Sequence, residues 1–257
     1  MNIVDNLYKT ECEIKVKLAS ANEQIRMIRK VLECGFSEDP PYIETDYTTD
    51  TYNHACKNND IILRFRTRAQ LPEAEKFINN TKNDYRITLK IKEASKTAQV
   101  NREIECTTEE IPCDKYAEIN QKLLSYTGAS LEKIDFNVNW ENLICQLANT
   151  GFEVCRMLSQ KVRQEFHRND CTICFDYFPH QVGYYVEIET FHEDLLESIA
   201  DELGLEIKCR EIDSYGEIIQ RTLKAQETGL SQTRICVFDE NLENLMRKVS
   251  NHEIQRG

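Results

Sequence analysis

Four charged residues near the start of the chain have a spacing that could support chemistry. In the stretch TECEIKVKL, residues 10–18, the residues Glu11, Glu13, Lys15 and Lys17 alternate with single apolar residues. Residues two apart on a β-strand point to the same face, so two carboxylates and two ammonium groups would line up along one strand. Carboxylate oxygens bind hard divalent cations, and ammonium groups neutralise anions such as phosphate. Taken alone, however, the pattern is more typical of a strand with one solvated face.

The same alternation recurs in four more stretches. They are residues 61–68 (IILRFRTR), 86–92 (RITLKIK), 161–166 (KVRQEF) and 184–190 (YYVEIET). Within each stretch most charges have one sign, whereas a solvated surface intersperses both signs to avoid repulsion. The segregation therefore predicts acidic and basic strands that face one interior. We predict an α+β fold built on a closed antiparallel β-barrel, apolar outside under covering helices and charged inside.

These stretches resemble the motifs of a known family, and they occur in the family's order. ECEIK at 11–15 is similar to the glutamate, any residue, glutamate, any residue, lysine motif that opens CYTH domains. That group includes class IV adenylate cyclases, thiamine triphosphatases and other triphosphate tunnel metalloenzymes. The further matches are LRFR at 63–66, ITLK at 87–90, KVR at 161–163, VGYYVEIE at 182–189 and SYGEII at 214–219. The resemblance spans about residues 8–222.

The resemblance implies an eight-stranded barrel that binds a triphosphate with Mg²⁺ or Mn²⁺. It implies that the metal ligands are Glu11, Glu13, Glu187 and Glu189, with Asp176 and Glu105 as weaker candidates. The implied triphosphate-binding residues are Lys15, Lys17, Arg64, Arg66, Lys90, Lys161 and Arg163. Among all of these, the residues expected to be catalytic are Lys15, Glu13 and Glu187.

The function predicted from the resemblance is a metal-dependent triphosphatase. Its substrate would be inorganic triphosphate or an organic triphosphate such as ATP or thiamine triphosphate. A class IV adenylate cyclase, which makes cyclic AMP and pyrophosphate from ATP, is an alternative within the same fold. A non-catalytic nucleotide or polyphosphate sensor is a second alternative. We favour hydrolysis because water needs no defined ribose placement and no base-recognition motif is visible.

Two stretches depart from the family pattern. The segment at 42–52 lacks the aromatic pair that relatives usually carry, which leaves the register of this strand open. In NREIEC at 101–106, Asn101 stands where relatives have an arginine, with Glu103 and Glu105 on one predicted face. Either the register slips by one residue, or one phosphate contact is lost.

The remaining pattern predicts helices, a helical insertion and a C-terminal extension. We expect a tunnel domain over residues 1–225, interrupted by a helical insertion at about 107–160, and an extension at 226–257. A separate strand is predicted at 152–158, and capping boxes are predicted at Thr190 with Glu193 and at Ser214 with Glu217. The connection at 71–84 is expected to shape the tunnel mouth. The helices are expected at 22–34, 114–126, 138–149, 191–203, 215–226 and 239–249. The last of them could pack on the barrel or mediate a homodimer.

Composition narrows the class of partner. The formal net charge of −12 disfavours nonspecific binding to nucleic acid or to acidic membranes. No apolar run approaches the ~20 residues of a membrane span, and residues 1–7 lack a signal-peptide pattern. The eleven cysteines are therefore expected to be free thiols in a cytoplasmic protein.

Several chemically suggestive residues are better explained by structure. Cys171 and Cys174 form a CxxC pair, but residues three apart on a strand point to opposite faces, which argues against a zinc site. Trp140 is expected in the core rather than at a base-stacking surface. The five histidines, His54, His167, His180, His192 and His252, show no catalytic spacing.

Overall fold

A computed structural model describes residues 8–70, 85–93, 99–206, 209–211, 213–225 and 235–238. The predicted helix at 239–249 and the connection at 71–84 lie outside these residues. The described helices are α1 (Ala21–Glu33), α2 (Ala55–Asn58), α3 (Asp114–Thr127), α4 (Trp140–Asn149), α5 (Glu193–Leu203) and α6 (Tyr215–Ala225). None of them is long and apolar enough to cross a membrane.

Eight of the described strands form the closed antiparallel barrel that the sequence predicts. They are β1 (Lys9–Leu18), β3 (Tyr42–Asp50), β4 (Ile61–Gln70), β5 (Arg86–Glu93), β6 (Gln99–Thr107), β7 (Val154–Arg168), β8 (Cys171–Phe178) and β9 (Gly183–Thr190). Their order around the barrel is β1, β6, β5, β4, β3, β7, β8, β9, and β9 pairs with β1 to close it. Three two-residue strands pair outside this ring: β2 (Ser37–Glu38), β10 (Arg210–Glu211) and β11 (Ile235–Cys236).

The alternation in sequence separates the two faces of the barrel wall. Because side chains alternate along a strand, Ile14 and Val16 of β1 point outward, while Lys15 between them points inward. On one side the outer face packs under α1 and α5. On the other side it packs under α3 and α4, where Trp140 is buried with its ring 4.9 Å from that of Tyr85. The predicted core position of Trp140 is confirmed.

The structure fixes the register of β3, which was left open by the sequence, and shows a bulge near the end of the strand. Tyr47 packs outward in the core near Trp140, which places Glu44 and Asp46 on the interior face. The pairing with β7 shifts between Thr48 and Thr49. Asp50 is fully buried beyond this shift, where its carboxylate accepts hydrogen bonds from the backbone N–H groups of residues 51, 56 and 57. The end of β3 is therefore tied to the first turn of α2.

The register of β6 does not slip. Glu103 and Glu105 both reach cations of the interior, so Asn101, two residues before them, lies on the interior face as well. Arg102 points outward, and its guanidinium lies 4.6 Å from the ring centroid of Tyr8. Asparagine therefore stands at the position where relatives are expected to carry arginine.

One prediction about local structure is partly confirmed and another is wrong. Residues 154–158 of the predicted strand at 152–158 are strand, but they belong to β7, which runs without interruption from Val154 to Arg168. The predicted capping box at Thr190 and Glu193 does not form. Thr190 is still part of β9, and α5 begins after His192 without a side-chain cap. At α6 the capping box of Ser214 and Glu217 is confirmed.

The cysteines agree with the sequence-based expectation. All eleven are free. Cys171 packs in the outer core with the apolar residues under α1 and α5, whereas Cys174 contacts Glu189 inside the barrel. The CxxC pair therefore points to opposite faces of β8 and forms no joint site.

Candidate active site in the barrel interior

Three carboxylates converge inside the barrel where β1 pairs with β6 and β9. Glu13 lies opposite Glu189 in the β1–β9 ladder, and Glu11 follows on the same face of β1. Oxygens of Glu11, Glu13 and Glu189 lie within 4.8 Å of one another. We call these three residues the carboxylate cluster. Closely spaced carboxylate oxygens are the donor set that a hard divalent cation such as Mg²⁺ or Mn²⁺ takes, so the residues present fit such an ion.

Two carboxylates of the carboxylate cluster have raised pKa values although each has one cation nearby. Burial raises the pKa of Glu13, and Glu187 raises it further against the opposing effect of Lys15. Burial together with Glu187 raises the pKa of Glu189 well above its ordinary value. A bound cation would relieve this repulsion and favour the charged form of both carboxylates.

Glu187 lies beside the carboxylate cluster but is strongly compensated. Lys15 Nζ lies 2.5 Å from Glu13 Oε1 and 2.9 Å from Glu187 Oε1, and Arg163 lies 2.5 Å from the other oxygen of Glu187. Burial favours a raised pKa for Glu187, but Lys15 and Arg163 hold it well below the ordinary value. Glu187 therefore stays ionised between two buried cations, and one of its oxygens also lies within 4.8 Å of ligand atoms of Glu189 and Cys174.

Asp176 is held by cations on the neighbouring strand. Arg163 donates to both of its oxygens at 2.7 Å, and Lys161 Nζ lies 3.4 Å from Oδ2. Asp176 is fully buried, so this forked pair is shielded from water. The structure thus places Asp176 in a salt-bridge network rather than in the carboxylate cluster.

A second group of charges lines the wall formed by β3, β4 and β7. We call this group the basic wall; it comprises Arg66, Arg68, Lys161, Glu44 and Asp46. Glu44 is within 3.1 Å of all three cations, and Arg66 also binds Asp46 through two hydrogen bonds of 2.6 and 2.8 Å. Burial favours a raised pKa for Glu44, but Arg66 and Lys161 hold it well below the ordinary value.

The strands β4, β5 and β6 carry the third group. Lys90 contacts Glu11 of the carboxylate cluster and lies 2.7 Å from Glu103. Arg64 approaches carboxylates only at 3.7 and 4.0 Å, and its Nε has no hydrogen-bond partner among the described residues. Glu105 contacts Arg86 and Thr88 at 3.1 and 2.8 Å, apart from the carboxylate cluster.

One end of the barrel interior is lined by aromatic side chains. Tyr215, the first residue of α6, contributes a ring whose centroid is 5.2 Å from Lys15 Nζ and 4.9 Å from Lys161 Nζ. The ring of Phe178 is 4.8 Å away. Lys17, two residues beyond Lys15 on β1, is exposed to solvent, and its Nζ is 5.7 Å from the ring centroid of Tyr185.

The structure therefore divides the residues predicted for the site. Glu11, Glu13 and Glu189 come together, with Lys15, Lys90 and Arg163 as the cations beside them. Lys17 and Glu105 lie apart from this group. The sequence analysis did not assign several interior residues to the site, namely Glu44, Asp46, Arg68, Glu103, Glu165 and Tyr215. The alternation of Tyr42, Glu44 and Asp46 could have identified the β3 residues.

Comparisons with known proteins agree with this architecture. A protein of Vibrio parahaemolyticus described as a candidate adenylate cyclase superimposes with a TM-score of 0.54 at 16% identity, covering 82% of this chain and 97% of its own. PH1819 of Pyrococcus horikoshii OT3 superimposes with a TM-score of 0.54 at 21% identity, covering 85% and 99%. PH1012 of the same organism gives 0.51 at 18% identity, covering 81% and 98%.

At these identities the similarity establishes the fold. No curated protein sequence matches the chain. The model of the CYTH domain family, in contrast, matches residues 9–210, which is most of the chain and includes all eight barrel strands. The chain belongs to the CYTH domain family.

Proposed function

We propose that the protein is a divalent-metal-dependent triphosphatase. It hydrolyses a phosphoanhydride bond of inorganic triphosphate, or of a nucleoside or other organic triphosphate, inside the barrel. The observation that carries this proposal is the carboxylate cluster of Glu11, Glu13 and Glu189 beside the buried cations Lys15 and Arg163. A polyphosphate anion and a divalent cation are the pair of ligands that this arrangement of charges suits.

The carboxylate cluster would hold Mg²⁺ or Mn²⁺, with Glu187 next to it. When bound, such an ion neutralises phosphate oxygens and lowers the pKa of water, which is the chemistry that hydrolysis of a phosphoanhydride requires. Lys15 Nζ lies 2.5 Å from Glu13 of the carboxylate cluster and 2.9 Å from Glu187. It would therefore contact both a bound phosphate group and the carboxylates that hold the metal.

The remaining cations bind and orient the triphosphate. Arg64, whose Nε has no hydrogen-bond partner among the described residues, is the cation most ready to donate to a phosphate oxygen, and Arg66 and Arg163 offer forked donors. Lys90 on β5 and Lys161 on β7 supply point charges from different parts of the barrel wall. Because these cations pair with carboxylates, an entering triphosphate must replace those carboxylates as a partner, and the released carboxylates become available to cations.

Water is the nucleophile in this proposal. The interior thiol of Cys174 is a poor nucleophile, because burial raises its pKa well above the ordinary value. His167, which follows the interior strand positions of β7, is engaged with Asp39 and Thr172 at 3.1 and 3.2 Å. Covalent catalysis would need an activated nucleophile, and charge stabilisation with positioning of water does not.

The first experiment identifies the product. Purified protein is incubated with inorganic triphosphate or ATP, each with Mg²⁺ or Mn²⁺, and products are separated by anion-exchange chromatography. We expect release of orthophosphate that needs the metal and is lost in Glu13→Gln and Glu187→Gln. The matched control is Glu33→Gln, which removes an exposed carboxylate of α1.

Each alternative has its own outcome in this experiment. Cyclic AMP with pyrophosphate as the main product would replace hydrolysis with adenylate cyclase activity. Tight binding of ATP or triphosphate without any product in either metal would make the protein a sensor. Full activity in both glutamine variants would refute the proposed site.

We also propose that the reaction takes place in the cytoplasm. The eleven free thiols are typical of proteins kept in a reducing compartment. Fractionation of cells that express the tagged protein tests this proposal.

A further inference from the structure

The end of the barrel interior where α6 packs is filled by apolar side chains. Tyr185 shares the inward face of β9 with Glu187, and Phe178 shares the inward face of β8 with Asp176. Both rings pack against α6 in one buried cluster, whose other members are Met157, Val182, Ile218, Ile219, Leu223 and Cys236. A charged group or a large substituent would meet these side chains here, so this end is closed to bulky ligands.

Tyr215 holds a fixed position where this apolar cluster meets the charged interior. It is the first residue of α6, and the capping box of Ser214 and Glu217 anchors the turn that carries it. Its ring lies against Phe178 and Tyr185, with centroid distances of 4.8 and 5.7 Å. On its other sides are the ammonium groups of Lys15 and Lys161. The ring therefore has little freedom to turn away from the interior.

The hydroxyl of Tyr215 is buried and has no hydrogen-bond partner among the described residues. After burial itself, the nearby Asp176 carboxylate raises the pKa of this hydroxyl by its charge and by a weak hydrogen-bond contact, but Arg163 already donates to both oxygens of that carboxylate at 2.7 Å. An unpaired buried hydroxyl is unfavourable, and most buried polar atoms in proteins have a partner. The hydroxyl therefore needs an acceptor. Because Lys15 and Lys161 lie beside the ring, a bound anion is the acceptor that suits this position best.

We propose that the Tyr215 hydroxyl donates a hydrogen bond to an oxygen of the terminal phosphoryl group of the bound triphosphate. Lys15 and Lys161 share the charge of that group. This inference rests on the proposed function and adds the direction in which the triphosphate lies. The terminal phosphate is at the closed end, and any attached nucleoside or other organic group points toward the opposite opening. The substrate must then have at least one unsubstituted terminal phosphate.

Tyr215→Phe tests the hydrogen bond, because it keeps the ring and removes only the hydroxyl. We expect inorganic triphosphate to bind about tenfold more weakly in calorimetric titrations with EDTA, as for loss of a hydrogen bond to a charged group. The KM for the hydrolysed substrate should rise by a similar factor. The thermal unfolding midpoint should change little, since the hydroxyl makes no hydrogen bond of ordinary geometry within the described residues. A purely structural role for the hydroxyl predicts the opposite: lower thermal stability with unchanged affinity.

Tyr185→Phe is the matched control. The ring of Tyr185 lies in the same apolar cluster. After burial, the charges that act on the pKa of its hydroxyl are those of Glu211 and Arg221 outside the barrel, so this change should leave triphosphate affinity unchanged. Affinity of Tyr215→Phe within about twofold of the unaltered protein would overturn the inference.

The orientation has a separate test. A dinucleoside triphosphate, in which both terminal phosphates carry a nucleoside, should not compete with inorganic triphosphate. Competition as strong as that of ATP would overturn the assignment of the terminal phosphate to the closed end.

Triphosphate binding that depends on Tyr215, but without hydrolysis, would refute the proposed function and leave this inference standing. Hydrolysis with equal triphosphate affinities in Tyr215→Phe and the unaltered protein would refute this inference and leave the proposed function standing. No triphosphate binding by the unaltered protein would overturn both.

Discussion

Glu44 in the basic wall and Glu189 in the carboxylate cluster are both interior glutamates, but their surroundings have opposite effects. The side chain of Glu44 is 0% exposed and lies within 3.1 Å of three cations, which hold its pKa well below the ordinary value. The side chain of Glu189 is 22% exposed, and it has one cation, Arg163, at 3.3 Å and two carboxylates of the same cluster beside it. Its pKa is raised by burial and by Glu187. The number of neighbouring cations, rather than residue type, separates the two positions.

This difference assigns separate tasks to the two regions. Breaking a buried ion pair leaves an uncompensated charge, so the basic wall stabilises the fold only while it stays complete. The carboxylate cluster is unfavourable without a cation, and binding of a cation there stabilises the folded state. Five predictions test the comparison.

The largest effect is expected at Glu189. Glu189→Gln should lower metal-dependent phosphate release by about 1,000-fold, because a catalytic metal supplies several kcal/mol of charge stabilisation. The same change should leave unfolding in EDTA unchanged or shifted to higher denaturant concentration, since it removes repulsion within the carboxylate cluster. Rates and urea unfolding curves are measured beside those of Glu33→Gln. A stable variant with full activity would remove Glu189 from the site.

The matching change in the basic wall should act on stability. Glu44→Gln should reduce the free energy of unfolding by about 3 kcal/mol, because Arg66 and Lys161 would lose their shared partner inside the barrel. Urea unfolding followed by circular dichroism measures this value. A loss no larger than that of Glu33→Gln would show that the two regions do not differ in this way.

A divalent cation should stabilise only a protein with an intact carboxylate cluster. At about 100 times its dissociation constant, Mg²⁺ or Mn²⁺ should add about 2.7 kcal/mol to the free energy of unfolding. Glu189→Gln should lose this gain, and Glu33→Gln should keep it. Equal stabilisation of all three proteins would place the cation elsewhere.

The dependence of stability on pH should have opposite signs at the two glutamates. The pKa of Glu44 is lowered on folding, so its contribution is present at neutral pH and is lost as pH falls below about 4. The pKa of Glu189 is raised on folding, so its relative contribution is greatest below about 4 and declines as pH rises through the folded pKa. The free energy of unfolding is measured in EDTA across this pH range for Glu44→Gln, Glu189→Gln and the unaltered protein. The difference between each variant and the unaltered protein, plotted against pH, gives one slope for each glutamate. Slopes of the same sign would contradict the comparison.

The smallest effect is expected at Lys17. Lys17→Ala should change the KM for triphosphate by less than about threefold, because this side chain is exposed and contacts only the ring of Tyr185 in the described interior. Lys15→Met, two residues earlier on the same face, should abolish activity. Comparable losses in both variants would show that Lys17 reaches the substrate.

Much of the fold could be predicted because alternation along a strand is a local property. Residues 10–18 separate a charged face from an apolar face with no information from the rest of the chain, and the structure keeps that separation in β1. The core position of Trp140 and the opposite faces of Cys171 and Cys174 follow from equally local patterns. The strand from Val154 was divided in the prediction because its middle residues carry no distinct alternation of charge.

The partners inside the barrel could not be predicted in the same way. Asp176 and Glu189 are both acidic residues on inward faces, but Asp176 is taken by Arg163 and Lys161, and Glu189 joins Glu11 and Glu13. Glu105 was expected near the metal, and the structure places it against Arg86. These differences depend on the stagger between strands around the closed barrel, which alternation along one strand does not encode.

For the five stretches with alternating charge, the sequence by itself determined which side chains face the interior, since a period of two residues and an apolar outer face leave those strands no other arrangement. The tertiary structure alone decided which carboxylates are compensated and which converge. That outcome depends on the pairing of β1 with β9 and of β3 with β4 and β7, segments far apart in the chain. Electrostatic compensation acts over a few ångströms in space, so only the closed barrel determines which carboxylates are left to bind a cation.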